Sequence, residues 1–249
     1  MTSNNHSYDT GLFGLKRTAQ VLKQRGIEFI GTKEVETDPA YAVKEINNIK
    51  IGLADYTYET SGQTPGRKYL NGAIIAEEAN NLINSFSYDK IDAFYTEAEK
   101  VIGEMKAQGA EFIVFYMHWG NEYERRPNKV QRQLAGFLRR HGVDLIVGSH
   151  PHVVQPYEQD SNGIVLYSLG NFVSNQRKRY CDGGIVATVE VTRSPDGSLR
   201  YSLELTPVWV LTPGYRITPS EVGDTLSMPA DSRLRYERFM TDTRLLLGL

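Results

Sequence analysis

Three of the five histidines in this 249-residue chain fall where apolar runs end. His118 closes EFIVFYMH, while His150 and His152 follow VDLIVGS with Pro151 between them. Imidazole is the commonest metal-binding side chain, and the intervening proline stiffens the turn so that both rings are aimed before a metal arrives. Taken alone, His-Pro-His reads first as a pair of surface turn histidines. Three imidazoles in one place are harder to dismiss, because converging cations repel at acidic pH unless a metal or a carboxylate keeps them neutral. The chemistry on offer is a divalent metal site. His141 stands apart: it ends a helical segment beside Arg139 and Arg140, where the helix dipole accounts for it.

The elements around these residues must bring them together. Val143, Leu145, Ile146 and Val147 make a short apolar run bounded by Gly148 and Pro151, the pattern of a strand buried on both faces. Residues 111–118 share that character. Between them, 130–141 carries Val130, Leu134, Phe137 and Leu138 on one side and stops at Gly142. Strand, helix and strand with short connections predict a βαβ unit, so both sets of imidazoles emerge at one edge of a parallel sheet, where ligands of open α/β sheets bind.

Upstream, a helix capped by Asp9 or Thr10 turns Leu12, Leu15, Ala19 and Leu22 to one face and closes at Gly26. Strands are expected at 27–30 and 49–56, and a second helix at 90–108 with Phe94, Ala98, Val101 or Ile102, and Met105 inward. The polar, glycine-bearing stretch 58–81 reads as a long surface loop with the character of a functional flap. Downstream, a strand at 164–169 leads into Gly170, Asn171 and Phe172. Residues 184–192 and 199–210 alternate as an antiparallel pair joined at Ser194, Pro195, Asp196 and Gly197. An exposed closing helix over 232–247 completes a single domain over 1–249.

Composition removes several function classes. A formal net charge of -2 and scattered basic residues, clustered only at Arg177, Lys178 and Arg179, leave no nucleic-acid footprint. One cysteine, Cys181, excludes an internal disulfide framework. No apolar run approaches the ~20 residues of a membrane span. The start MTSNNHSYDTG lacks the basic and apolar regions of a signal peptide, so the chain as written is expected to be soluble.

Four motifs in order, NNHSYDTG, HWGNEY, GVDLIVGSHPHVVQPYE and IVLYSLGNF, resemble the bacterial capsule synthesis family (CapA, poly-γ-glutamate synthesis), within the calcineurin-like metallophosphatase superfamily. The resemblance spans nearly the whole chain. It implies an α/β fold, a metallophosphatase-like β-sandwich flanked by helices, with a divalent metal (Mn, Fe or Zn) at the strand ends. It further implies Asn5 as a metal ligand, His6 beside the substrate as general acid or transition-state stabiliser, and His118, His150 and His152 as metal-ligand histidines. The family's opening strand, ending in a Gly-Asp whose carboxylate bridges two metals, has no counterpart here, and neither does the Asn/Glu motif that follows it. Neither Asp9, pointing into a helix start, nor Asp144 replaces that carboxylate. One well-held metal on His118, His150 and Asn5 is therefore expected, with His152 stranded or supporting. The sequence fits the downstream part of a longer product, a misplaced start or a degenerate relative, with an uncovered sheet edge open to partners.

Glu122 reads either as a ligand-orienting or acid/base group or as a surface carboxylate near Arg125 and Arg126. Asn171 lines the pocket or satisfies its own turn, and Trp119 forms pocket wall, in contact with substrate, or core. Two function classes follow. One is a metal-dependent hydrolase or transferase acting on a phosphate-containing or peptide-like anionic polymer. The other is a non-catalytic polymer-binding or partner subunit of a capsule synthesis or export complex. The family is often tethered at the outer face of the cytoplasmic membrane.

Overall fold

Asn47 and Asn48 both take positive φ, 49° and 62°, as a two-residue type I′ turn demands. They fold β1 (Tyr41–Ile46) back on β2 (Ile49–Tyr58), with Ile46 opposite Ile49. In the structure, a computed structural model that describes residues 1–249, this hairpin begins a seven-stranded mixed sheet. Helix α1 (Gly11–Gln24) comes before it. After it come β3 (Tyr69–Leu70), β4 (Ala73–Ile74), β5 (Ser85–Phe86), α2 (Ile91–Ala107) and β6 (Phe112–His118). Then follow α3 (Lys129–Arg140), β7 (Leu145–Ser149), β8 (Tyr157–Asp160) and β9 (Gly163–Leu166). The sheet order is β1-β2-β6-β7-β9-β8, with β5 also on β2. Strands β2, β6, β7 and β9 run parallel, which makes β6-α3-β7 the expected βαβ unit. The fold is mixed α/β, a central sheet flanked by helices.

The chain forms two compact units whose segments alternate. The first holds Met1–Gly120, Asn128–Ser149 and Glu158–Leu166; the second holds Asn121–Pro127, His150–Tyr157 and Tyr167–Leu249. In the first, all four residues of β9 are buried and β6 is buried at Phe112, Ile113, Val114, Phe115 and Met117. Tyr56 stacks on Phe115 and meets Phe94 of α2 edge-on, so helix and sheet share one apolar layer. Helix α3 starts with a capping box in which Asn128 and Gln131 satisfy each other's main chain. No helix in the chain is long and apolar enough to cross a membrane.

Two sequence expectations fail in this unit. Residues 27–30 form no strand and join no sheet. The Ile27 N–H returns to Leu22 O to close α1, and Ile30 O accepts from Thr2 N and Thr2 Oγ1, so these groups have no ladder to join. The stretch 58–81 is no open flap. Asn71 (φ 49°) and Gly72 (φ 77°) turn β3 into β4, and Leu70, Ile75 and Ala79 pack with Tyr8 and Leu15 of the N-terminal segment. Asn-Gly between apolar pairs is a hairpin signal, but two-residue strands are too short to reveal alternation.

In the second unit, β10 (Gly183–Arg193) and β11 (Leu199–Leu211) form the expected hairpin, and β12 (Arg216–Pro219) extends it. A short helix, α4 (Ser220–Gly223), leads to α5 (Ala230–Leu247). The closing helix is not simply exposed: Tyr236, Phe239, Met240, Thr243 and Leu247 are buried, and the first three pack with Trp209. These five lie on one helical stripe.

Candidate functional site

Parallel pairing places His118, the last residue of β6, opposite Ser149, the last of β7. Ser149 Oγ lies 2.9 Å from His118 Nδ1, and the buried Asn5 puts its Oδ1 2.9 Å from Nε2. Tyr58 lies parallel to the ring, with centroids 6.4 Å apart. Held on three sides, this imidazole has one orientation and two readings. When Nδ1–H donates to Ser149, Nε2 and Asn5 Oδ1 are two lone-pair atoms side by side. Their separation matches the ~3 Å between adjacent ligands on ~2.1 Å bonds to one cation. When Nε2 carries the proton, the same separation is an ordinary hydrogen bond.

His6 stands on a turn built from its own neighbours. Its N–H donates to Asn4 Oδ1 at 2.8 Å, and Asn4 N–H donates to Ser7 Oγ at 2.8 Å. Its Nδ1 lies 2.7 Å from Asp9 Oδ2, while Asn71 Nδ2 approaches the same carboxylate at 3.5 Å. The expectation that Asp9 points into the helix start is corrected: it pairs with His6, and α1 has no side-chain cap. A carboxylate three residues after a histidine was the signal, obscured because Asp is also a favoured cap. His6 Nδ1 faces the carboxylate oxygen and, at 3.2 Å, the Asn71 amide nitrogen; with the Nδ1 proton directed to Asp9, Nε2 is left for proton exchange.

The second unit orients its histidines differently. His150 and His152 take positive φ, 100° and 59°, a region that non-glycine residues seldom occupy and that clusters at functional sites. His150 is buried. Asn171 uses its amide nitrogen on Cys181 O (2.8 Å) and Gln176 Oε1 (3.1 Å), which fixes its Oδ1 as the acceptor 2.9 Å from His152 Nδ1. His152 Nε2 then carries the lone pair, and Glu122 Oε1 lies 4.0 Å away. Tyr123 faces the same ring with centroids 6.0 Å apart. Asn171 thus satisfies His152 and Cys181 rather than its own turn. Trp119, in the first unit, is fully buried.

A residue invisible from sequence lies behind the first group. Asp55 of β2, 2% exposed, accepts from the main-chain N–H groups of Thr2 and Ser3 through one oxygen, both at 2.8 Å. Burial pushes its carboxyl up to about 7 against the opposing pull of the Ser3 N–H. A raised carboxyl keeps its proton in the folded state after the unfolded chain has lost it. Its stabilising contribution is therefore complete below ~4 and disappears as pH rises through 7. Urea unfolding is expected to show stability falling by up to about 4 kcal/mol between pH 4 and 8, with the Asp55→Asn variant losing most of that slope.

The structure therefore joins Asn5 to His118, His6 to Asp9, and His152 to Asn171 with Glu122 nearby. No group of three or more His, Cys, Asp or Glu side chains is gathered so as to hold a metal ion. Imidazole beside an amide oxygen is a donor pair that suits Mn, Fe or Zn, though two donors are fewer than the four of a closed zinc site.

Comparison with known proteins gives a consistent family. The bacterial capsule synthesis protein PGA_cap family matches residues 1–176. The capsule biosynthesis protein CapA of Bacillus anthracis is 31% identical over 175 residues, which are 70% of this chain and 39% of that protein. The PGA biosynthesis protein CapA of Bacillus subtilis (strain 168) is 30% identical over 177 residues, 70% of this chain and 42% of its own length. The chain thus spans about two fifths of these relatives. Among solved structures, the Thermus thermophilus sulfate thiohydrolase SoxB in complex with glycerol aligns with a TM-score of 0.45 at 14% identity, covering 92% of this chain and 34% of SoxB.

Proposed function

This chain belongs to the bacterial capsule synthesis protein family PGA_cap, and on that premise we propose that it carries a metal-assisted hydrolase or transferase site. The substrate is an anionic capsule polymer, cut or transferred at a phosphoryl or acyl centre. The observation that carries this reading is the 2.9 Å pairing of His118 Nε2 with Asn5 Oδ1 while Ser149 occupies Nδ1. Ser149 supports the metal reading because a metal-binding histidine is typically oriented through its far nitrogen, as Nδ1 is here.

In the first unit Asn5 and His118 would hold the cation; in the second, His150 and His152 are metal-ligand candidates of their own. A divalent cation supplies positive charge that polarises the reacting oxygen and acidifies water. His6, its Nδ1 on Asp9, passes a proton to the leaving group through Nε2. Asn171 holds the His152 tautomer, and Glu122 sits within reach of the same ring.

Metal analysis and Mn2+ titration of the purified chain, with a chromogenic phosphodiester assay, test this reading. Micromolar binding and Mn2+-dependent turnover are expected. Asn171→Leu, which deprives His152 Nδ1 of its acceptor, is expected to weaken Mn2+ binding by about 10–100-fold. A clean protein with neither metal nor turnover would instead be a polymer-binding or partner subunit of a capsule synthesis or export complex.

A further inference from the structure

Asp55 has no place in the chemistry proposed above, yet it is among the most deeply buried carboxylates of the chain. Burying a carboxylate costs free energy that hydrogen bonds must offset, and neutral side chains serve as well for ordinary structural bonds. Its partners are therefore informative. One oxygen, Oδ2, collects the N–H groups of Thr2 and Ser3, consecutive residues just before Asn4, Asn5 and His6. A Cβ on Gly31 (φ +100°) would lie 2.2 Å from that oxygen, so only glycine lets the chain pass there. Asp55 lies opposite Tyr116 on β6, and Thr57, two residues on and on the same face, lies opposite His118. The carboxylate is thus one step down the strand from the histidine that Asn5 meets.

A second tie sits beside it. Ser3 Oγ donates to Asn84 O at 2.7 Å, and the same carbonyl accepts Thr57 N–H at 3.1 Å. The segment carrying Asn5 and His6 is thereby referenced to β2 twice; Thr2 is also tied to Ile30 and Thr32, while the bonds of the turn itself, Asn4 to Ser7 and His6 to Asn4, are local. Local bonds shape the turn but do not locate it on the sheet.

We infer that Asp55 is a positioning residue, whose carboxylate oxygen docks the Thr2–Ser3 main chain on β2 and so sets where Asn5 Oδ1 stands relative to His118 Nε2. The metal-binding consequence rests on the function proposed above; the docking itself does not.

The test uses the full chain, with Mn2+ alone as probe and amide hydrogen exchange as an independent readout. Asp55→Asn keeps an oxygen for both N–H groups and is expected to leave exchange at Thr2, Ser3 and His6 within about threefold of the parent and Mn2+ affinity likewise. Asp55→Leu removes the acceptor and is expected to speed exchange at those amides at least about tenfold, with β6 amides unchanged, and to weaken Mn2+ binding about tenfold. Leu134→Ala, a core change in α3, controls for general loss of stability and is expected to leave Mn2+ affinity unaltered. Should Asp55→Leu not fold, Asp55→Ala removes the same acceptor without added bulk and is expected to shift the same amides in the same direction. Unchanged exchange in whichever acceptor-free variant folds overturns the inference, as does equal weakening of Mn2+ binding by Leu134→Ala. A parent chain that binds no Mn2+, with exchange still lost in Asp55→Leu, overturns the metal reading and leaves the docking intact.

Discussion

His118→Ala is expected to raise the dissociation constant for Mn2+ by at least about 100-fold and to bring metal-dependent phosphodiester turnover to background, while the melting temperature moves by only a degree or two. The asymmetry follows from where the side chain stands. His118 ends β6, whose core contribution comes from Phe112 to Met117, so its removal opens no large cavity. What disappears is the one nitrogen facing Asn5 Oδ1. Ser149→Ala makes the complementary test. It leaves both donors in place and removes only the Oγ on Nδ1, and a loss of about tenfold is expected. Isothermal titration of both variants beside the parent, with thermal melts, separates ligand from orienting partner. Equal Mn2+ affinity in His118→Ala and the parent would remove the metal from this strand end.

Trp209→Ala is expected to destabilise the second unit by about 3–5 kcal/mol. Trp209 is 1% exposed and packs edge-on against Tyr236 of α5. Its Nε1 donates to Asp182 Oδ2 at 3.1 Å, and Asp182 is itself buried, so truncation leaves both a cavity and an unpartnered carboxylate. Trp209→Phe keeps most of the bulk and isolates the second effect, about 1–3 kcal/mol. The damage reaches the functional group through the chain. Asp182 follows Cys181, whose carbonyl receives the Asn171 amide that orients His152. Denaturant unfolding of the three proteins gives the energies, and a histidine NMR titration reports whether the His152 ring loosens.

Much of this architecture is legible in the sequence because its signals are local. The apolar face of α2 at Phe94, Ala98, Val101, Ile102 and Met105, the β6-α3-β7 unit and the Pro195-Asp196-Gly197 turn follow from periodicity and turn chemistry. The buried stripe of α5 at Tyr236, Phe239, Met240, Thr243 and Leu247 is not legible in the same way, because charged neighbours mask it. The 27–30 stretch misleads because an apolar run says nothing about whether a ladder partner exists. Asp55 is silent for a deeper reason. Its partners are main-chain amides 53 and 52 positions away, and every residue type except proline presents one. His152 and Asn171, 19 apart, were each visible as candidates, but the bond between them was not.

The left-handed backbone at His150 and His152 has a consequence for how this turn tolerates change. Each position holds an L-side chain in a conformation that glycine enters without penalty, at a cost on the order of 1 kcal/mol apiece. Glycine there would make the turn easier to form while deleting a ring. Selection for heat resistance alone would therefore erode this corner early, exchanging imidazoles for hydrogen atoms, and only a demand for what those rings do would keep them in place.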